Sequence, residues 1–201
     1  FTVLAPEQVT GTPPFGRPGR WRAGGRELAV FAYDGAAAHH VAFGHALDDA
    51  SQWEAGLLAS PLATDGGPTI VSLATDGETF GHHHRFGDLA LVALIDRLAK
   101  RGDVQLTNFA ALLREAPPQH DVSIVSPSSW SCPHGIERWR SECGCRFEPG
   151  TSQAWRAPLR DGLETLARDI DNCVERLWPA AAGDLRMGRI GHVDGHRALV
   201  A

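Results

Sequence analysis

Residues 69–91 read TIVSLATDGETFGHHHRFGDLAL, and the order of residue types in this stretch decides the fold class. A short apolar run, residues 70–74, fits a fully buried strand. Polar chemistry then arrives together: Asp76, Glu78, His82, His83 and His84, with Gly77 and Gly81 between them. Asp88 follows, placed to cap a helix, and residues 89–98 have the length and apolar spacing of one. A buried strand that ends in carboxylates and glycines, and then feeds a helix, is how β/α folds build a site.

The residue types make sense as chemistry. Asp76 and Glu78 are two apart, so on a continuing strand both project from one face. Two acids on one edge oppose each other's ionisation, which is what a proton donor at neutral pH needs. Gly77 and Gly81 allow backbone conformations and close approach that a Cβ would block. The plainer reading is a polar strand-end loop; three consecutive histidines beside two acids favour a functional site.

Strand-like and helical patterns alternate outward from this stretch. Residues 1–5 and 28–33 read as buried strands, the second ending at Asp34, again at a strand's carboxyl end. There Asp34 either shapes the loop or hydrogen-bonds a sugar hydroxyl. Residues 6–25 carry four prolines and five glycines and read as loop. Within it Trp21 is read as packing in preference to stacking on a ligand. His39 and His40 precede a helix that starts near Val41 and continues over residues 52–62, with a turn at 63–68. Gly102 sits where a C′ glycine ends the central helix. A short strand over 104–106, a helix capped by Thr107 or Asn108, and a strand over 122–125 follow. This alternation predicts a parallel sheet or barrel. From Pro158, Leu159, Leu163, Leu166, Ile170, Cys173, Val174 and Leu177 recur at helical spacing, an amphipathic helix of about five turns closing over 179–183.

Composition sets the bounds. A chain of 201 residues holds one ordinary core, and a net charge of −5 without a basic run argues against nucleic acid. No apolar stretch reaches membrane-spanning length and no signal pattern opens the chain. Four cysteines, three of them clustered, do not resemble a secreted disulfide framework, and the expected location is cytoplasmic. Residues 1–5 read as a strand in mid-stride and 197–201 stop in an apolar run, so a piece of a longer polypeptide is expected.

A second constellation lies downstream. Cys132, His134, Cys143 and Cys145 supply four potential zinc ligands, at a spacing unlike paired Cys-x-x-Cys knuckles. They read as weak metal candidates, or as reduced thiols in a long loop with His134 facing a cleft. Trp130, Trp139 and Trp155 with Arg138 and Arg140 make this loop aromatic and cationic, a composition that suits a glycan.

These residues carry a resemblance. Asp76-Gly77-Glu78-Thr79-Phe80-Gly81-His82 resembles the Asp-x-Glu-x-Phe-Gly acid/base segment of glycoside hydrolase family 57. Ser128-Ser129-Trp130 resembles that family's later Ser-Ser-Trp segment. The run Ser129-Trp130-Ser131-Cys132-Pro133-His134-Gly135-Ile136-Glu137-Arg138-Trp139-Arg140 is similar to a poorly characterised bacterial subgroup. The likeness extends from Phe1 to about Ala167.

The resemblance implies an α/β fold: the C-terminal part of an incomplete (β/α)7 TIM-like barrel over residues 1–157, then the start of a helical region over 158–201. It implies a retaining glycoside hydrolase or glucanotransferase acting on α-glucan-type oligo- or polysaccharide. Asp76 would be general acid/base, and a nucleophilic Glu would lie on a strand before Phe1, since no residue here matches it. Glu78 would support Asp76 or bind substrate. His82, His83, His84, Trp130 and His134 would line sugar subsites. No cofactor is expected. Two alternatives stay open: a metal-dependent hydrolase of mannosidase or deacetylase type, with zinc on Asp76, His82 and His84, and a non-catalytic carbohydrate-binding domain.

Overall fold

The computed structural model describes residues 1–11, 15–62, 66–146 and 148–178. Residues 63–65 of the expected turn at 63–68, the helix closure at 179–183 and the final run at 197–201 lie outside the described residues. The chain divides into two compact units, Phe1–Ile124 and the residues from Val125 onward.

The first unit is mixed α/β. Strand β1 (Thr2–Leu4) precedes a short strand of the second sheet, β2 (Val9–Thr10). Strands β3 (Gly19–Ala23) and β4 (Arg26–Ala32) then form a hairpin, with Trp21 opposite Leu28. The two linking residues, Gly24 and Gly25, have φ of +55° and +75°, the pair of left-handed conformations that a tight hairpin requires. β1 lies parallel to β4, with Val3 opposite Phe31. β5 (His120–Asp121) lies parallel to β3, so the order is β1-β4-β3-β5. β6 (Ser123–Ile124) pairs antiparallel with β2.

Several expectations are corrected here. Residues 6–25 are not all loop: they hold β2 and β3. The glycine pair that suggested irregular chain is instead the hairpin turn. Residues 70–74 form no strand and join no ladder. They are fastened by single bonds, Ile70 N–H donating to the Gly16 carbonyl at 2.9 Å and the Ser72 carbonyl accepting from Asp34 N–H at 2.8 Å. Residues 104–106 form no strand either. The sheet is mixed, with parallel and antiparallel pairs, and not wholly parallel.

Helices α1 (Gly35–Phe43), α2 (Ala50–Leu58) and α3 (Gly87–Ala99) pack around Val41, Ala46, Leu47, Trp53 and Leu94. Asp34 and Asp49 start the first two with side-chain caps, accepting from Ala37 N–H at 2.9 Å and Ser51 N–H at 2.7 Å. These bonds satisfy amides that a helix start leaves open. α3 begins differently: its cap position is Phe86, not Asp88, which lies in the first turn. Its end is also not a glycine cap, because Lys100 closes it in right-handed conformation and Gly102 lacks a positive φ. α2 and α3 are further tied by buried Glu54, which accepts from Arg97 Nε and from Arg101 at 3.0 Å.

A second cluster joins Phe31 and Val3 on the sheet to Phe109 and Leu112 of α4 (Phe109–Glu115) and to Ala116, which closes that helix. Of the two expected caps, Thr107 and Asn108, it is Asn108 that caps α4, accepting from Ala111 N–H at 3.0 Å. The rings of Phe31 and Phe109 sit 4.7 Å apart; burying a side chain such as Phe31 contributes about 1.5–3 kcal/mol. Trp21 packs, as expected, against the Val9, Val30 and Val122 cluster.

In the second unit the described chain over 125–155 is almost without regular structure, carrying one short 3-10 turn, Glu137–Trp139. Helix α5 (Arg156–Leu177) follows. Its 22 residues make about six turns, one more than expected. Its apolar stripe is about half exposed at Leu159, Leu163, Leu166 and Ile170.

Candidate functional site

The segment from Asp76 to Gly87 is a compact loop, not a strand end. Asp76 occupies the cap position of a 3-10 turn, Gly77–Thr79. Asp76 and Glu78 are therefore not related by a strand's two-residue repeat. The loop closes on itself through main-chain bonds. The Glu78 carbonyl accepts from His82 N–H and His83 N–H at 3.1 and 3.0 Å, and the Thr79 carbonyl accepts from His84 N–H at 3.2 Å. Gly81 makes that closure possible with a φ of +120°, a conformation costly to residues with a Cβ. Gly77 has no positive φ and open space around it, so the expected need for glycine there is not met.

Side chains anchor the loop to the core. Thr79 is buried and its hydroxyl lies 2.9 Å from that of Thr75. Phe80 stacks near Trp53, ring centroids 6.3 Å apart. His84 points its Nε2 at the Ala42 carbonyl of α1, 2.9 Å away; since a carbonyl only accepts, that nitrogen carries the proton. Sequence reading passed over Phe86 and Gly87. Phe86 takes a left-handed φ of 63°, the one non-glycine residue to do so among those described. Gly87 is buried, and a Cβ there would meet Phe80 Cα at 3.2 Å and the Thr79 carbonyl oxygen at 3.3 Å. The signal for Gly87 was a glycine at the very start of the apolar-periodic helix.

What the loop presents outward is a set of exposed groups: Asp76, Glu78, His82 and His83. His83 Nε2 lies 3.7 Å from Glu78 Oε2, and the rings of His82 and His83 meet edge-on at 5.0 Å. Asp76 differs from the other acids that start helices. Asp34 and Asp49 spend their carboxylates on caps, whereas the Asp76 side chain makes no cap hydrogen bond. Its carboxylate is therefore held at the protein surface without an internal use.

Asp34 has the opposite character. It is buried, with Oδ1 taken by Ala37 N–H and Oδ2 by the Ser60 hydroxyl at 2.7 Å. Its carboxylate shapes the turn, so the loop-forming reading is the one the geometry favours. It edges a cavity of about 550 Å³ between α1 and α2, bordered also by His40, Trp53 and Ser60. Asp76, Glu78 and the three histidines do not line that cavity.

In the second unit, Trp130 is 54% exposed on a loop fixed by the Ser129 hydroxyl donating to the Gly135 carbonyl at 2.9 Å. Two residues on, the cysteine and histidine side chains converge. The ligand atoms of Cys132, His134, Cys143 and Cys145 all lie within 4.8 Å of one another. Among the described residues this is the group of three or more His, Cys or acidic side chains that comes together; Asp76, His82 and His84 do not form one. The backbone N–H of Cys145, aimed at Cys143, holds that thiol below its ordinary value, while burial pushes the Cys145 thiol up to about 11.

No family model matches the chain, and no curated protein matches it. Among solved structures, an exo-type maltose-forming amylase from Pyrococcus sp. ST04 superposes with a TM-score of 0.66 at 18% identity, over 86% of this chain and 34% of that one. A 4-alpha-glucanotransferase from Thermococcus litoralis gives a TM-score of 0.47 at 17% identity, over 65% of this chain and 20% of that one. The second likeness is too loose to argue from. The first establishes a shared α/β fold, of which this chain spans about a third of the amylase's length.

Proposed function

We propose that this chain is part of an enzyme acting on α-glucan-type carbohydrate, a retaining glycoside hydrolase or glucanotransferase of family 57 type. The observation that carries the reading is Asp76: an exposed carboxylate, free of capping duty, on a loop that Thr79, Phe80 and His84 tie to the rest of its unit. Two further facts support it. The Asp-x-Glu-x-Phe-Gly motif falls on that loop, and the fold likeness to a maltose-forming amylase runs over 86% of the chain.

In this reading the α/β frame is a piece of a (β/α)7 barrel. Asp76 protonates the departing glycosidic oxygen as general acid, then takes a proton from water or an acceptor sugar as general base. The nucleophile is a Glu outside this chain, with the two carboxyl groups about 5–5.5 Å apart as retention requires. Glu78, paired loosely with His83, and His82 supply hydrogen bonds to sugar hydroxyls. Trp130 offers an aromatic face to the apolar side of a sugar ring. His84 is turned inward to Ala42, so it holds the loop and is not assigned to substrate.

The test is turnover of maltooligosaccharides by the intact protein and its Asp76→Asn variant. The expected result is a loss of at least about 100-fold in kcat, the usual size of general acid/base catalysis, with oligosaccharide binding kept. A variant that turns over at the parent rate removes Asp76 from the chemistry. An intact protein that neither binds nor cleaves α-glucans removes the substrate class.

A further inference from the structure

We propose that Cys132, His134, Cys143 and Cys145 bind one zinc ion in a closed tetrahedral site that organises the second unit. Zinc holds thiolate sulfur at about 2.3 Å and imidazole nitrogen at about 2.0–2.1 Å in tetrahedral geometry. By that geometry two sulfurs stand about 3.8 Å apart, and a sulfur and a nitrogen about 3.6 Å. The Cys132 and Cys145 sulfurs are 3.8 Å apart, and His134 Nδ1 lies 3.5 Å from Cys145 and 3.9 Å from Cys132. The fourth ligand, Cys143, falls inside the same 4.8 Å span. That span encloses a single ion; the four ligands of an iron–sulfur cluster are divided among two or more irons and do not all converge on one point. Three soft sulfurs and an imidazole also select against magnesium and calcium, which take oxygen.

A second, independent observation is the lack of a core. Among the described residues from Val125 onward, the buried ones are Cys132, Ser129 and Gln153. No large apolar side chain is buried there, and residues 125–155 have almost no backbone ladder to hold them. A segment so poor in apolar burial needs a cross-link or a metal to keep one shape. One of the candidate ligands, Cys132, is among those buried groups; Cys143 and Cys145 are half-buried beside it, and His134 reaches the cluster from the surface.

The surroundings fit ligands held in place. Gly144, between two of the cysteines, has a φ of +89°, and the sulfurs on both sides of it join the cluster. The Cys145 carbonyl accepts from the Gln153 side chain at 2.6 Å and from Arg156 at 3.4 Å. Such outer bonds orient the inner ligands, and a nearby guanidinium offsets the excess negative charge of three thiolates on a dication. With four protein ligands the ion has no open position for water, so its role is structural. The proposal is independent of the carbohydrate reading.

The experiment is metal analysis of the full-length protein, purified without a polyhistidine tag and without added metal, together with cobalt substitution. One zinc per chain is expected, and cobalt should give the intense visible bands of a tetrahedral thiolate site. Cys143→Ser/Cys145→Ser should hold less than a tenth of the parent zinc. Should that variant fail to fold, His134→Cys decides instead: it keeps four ligands and should retain full zinc, with a shifted cobalt spectrum. Zinc-chelator treatment of the parent should lower its melting temperature. The proposal is overturned by a parent protein that takes up neither zinc nor cobalt, by a disulfide among these cysteines, or by zinc that persists in the double serine variant.

Discussion

The ring Nε2 of His84 lies 2.9 Å from the carbonyl oxygen of Ala42, joining the loop of residues 76–87 to the last turns of α1. That carbonyl is near a helix end, where acceptors lack intrahelical donors, so the bond satisfies a group that otherwise needs water. His82 and His83, adjacent in sequence, are exposed and bond through their backbones to Glu78. His84→Ala should therefore destabilise the protein by about 1 kcal/mol, while His82→Ala and His83→Ala stay within about 0.5 kcal/mol of the parent. Urea unfolding of the three variants checks this. Equal effects at all three positions would contradict a special role for His84.

Gly77 and Gly87 make a sharper comparison, since both flank the same loop. A Cβ on Gly87 meets Leu47 Cδ1 at 3.1 Å and main-chain atoms of Phe80 and Thr79. The side chain can shift, but the backbone atoms are fixed by the loop's own hydrogen bonds. Gly87→Ala should cost about 1–3 kcal/mol, the range for forcing atoms into a packed site. Gly77→Ala meets nothing within 4 Å and sits in a helical turn without positive φ. It should be neutral or slightly stabilising. Thermal melts of the two variants separate the cases.

Much of the first unit was legible because local chemistry and packing agree there. The periodic apolar residues of α3 read directly from sequence, and the cap of α4 was narrowed to Thr107 or Asn108, of which the second makes the bond. The hairpin of β3 and β4 did not, because Gly24-Gly25 lay inside a stretch crowded with glycine and proline. Residues 70–74 look like a strand by composition, yet strand status depends on ladder partners, which apolar content does not reveal. The same limit applied to the cysteines. Their spacing matches no paired knuckle, and only the turn at Gly144 and the return of the chain past His134 bring them together. Asp34 and Asp76 looked alike as acids at turns; burial and partners distinguish them.

Glu54 gives a prediction in pH. It is buried between α2 and α3, and hydrogen bonds from Arg101 and then Arg97 hold its carboxyl below the ordinary glutamate value. A depressed folded-state pKa means the contribution is fully present above the unfolded value, about 4.3, and is lost as pH falls through the folded value. Glu54→Gln removes this linkage. The stability gap between parent and variant should be widest near neutral pH and shrink as pH drops below about 4. Urea midpoints of both proteins across that range measure it. A gap that is constant with pH would mean that Glu54 acts through packing alone.

Trp130 tests the carbohydrate reading from the second unit. With 54% of its surface exposed, the indole contributes little to folding, yet it stands on a loop fixed by the bond from Ser129 to Gly135. A large apolar face kept in water is suited to a ligand surface that is itself partly apolar, as one side of a sugar ring is. Trp130→Ala should weaken maltooligosaccharide binding about three- to tenfold, from roughly 0.5–1.5 kcal/mol of lost aromatic contact. The melting temperature should stay near that of the parent. Calorimetric titration of parent and variant, with a melt of each, reads both quantities. If affinity holds while the melt falls, Trp130 serves the fold, and the sugar-facing role goes to another group. If affinity falls and the melt does not, the exposed indole is a contact to glycan, because no loss of structure accounts for the change.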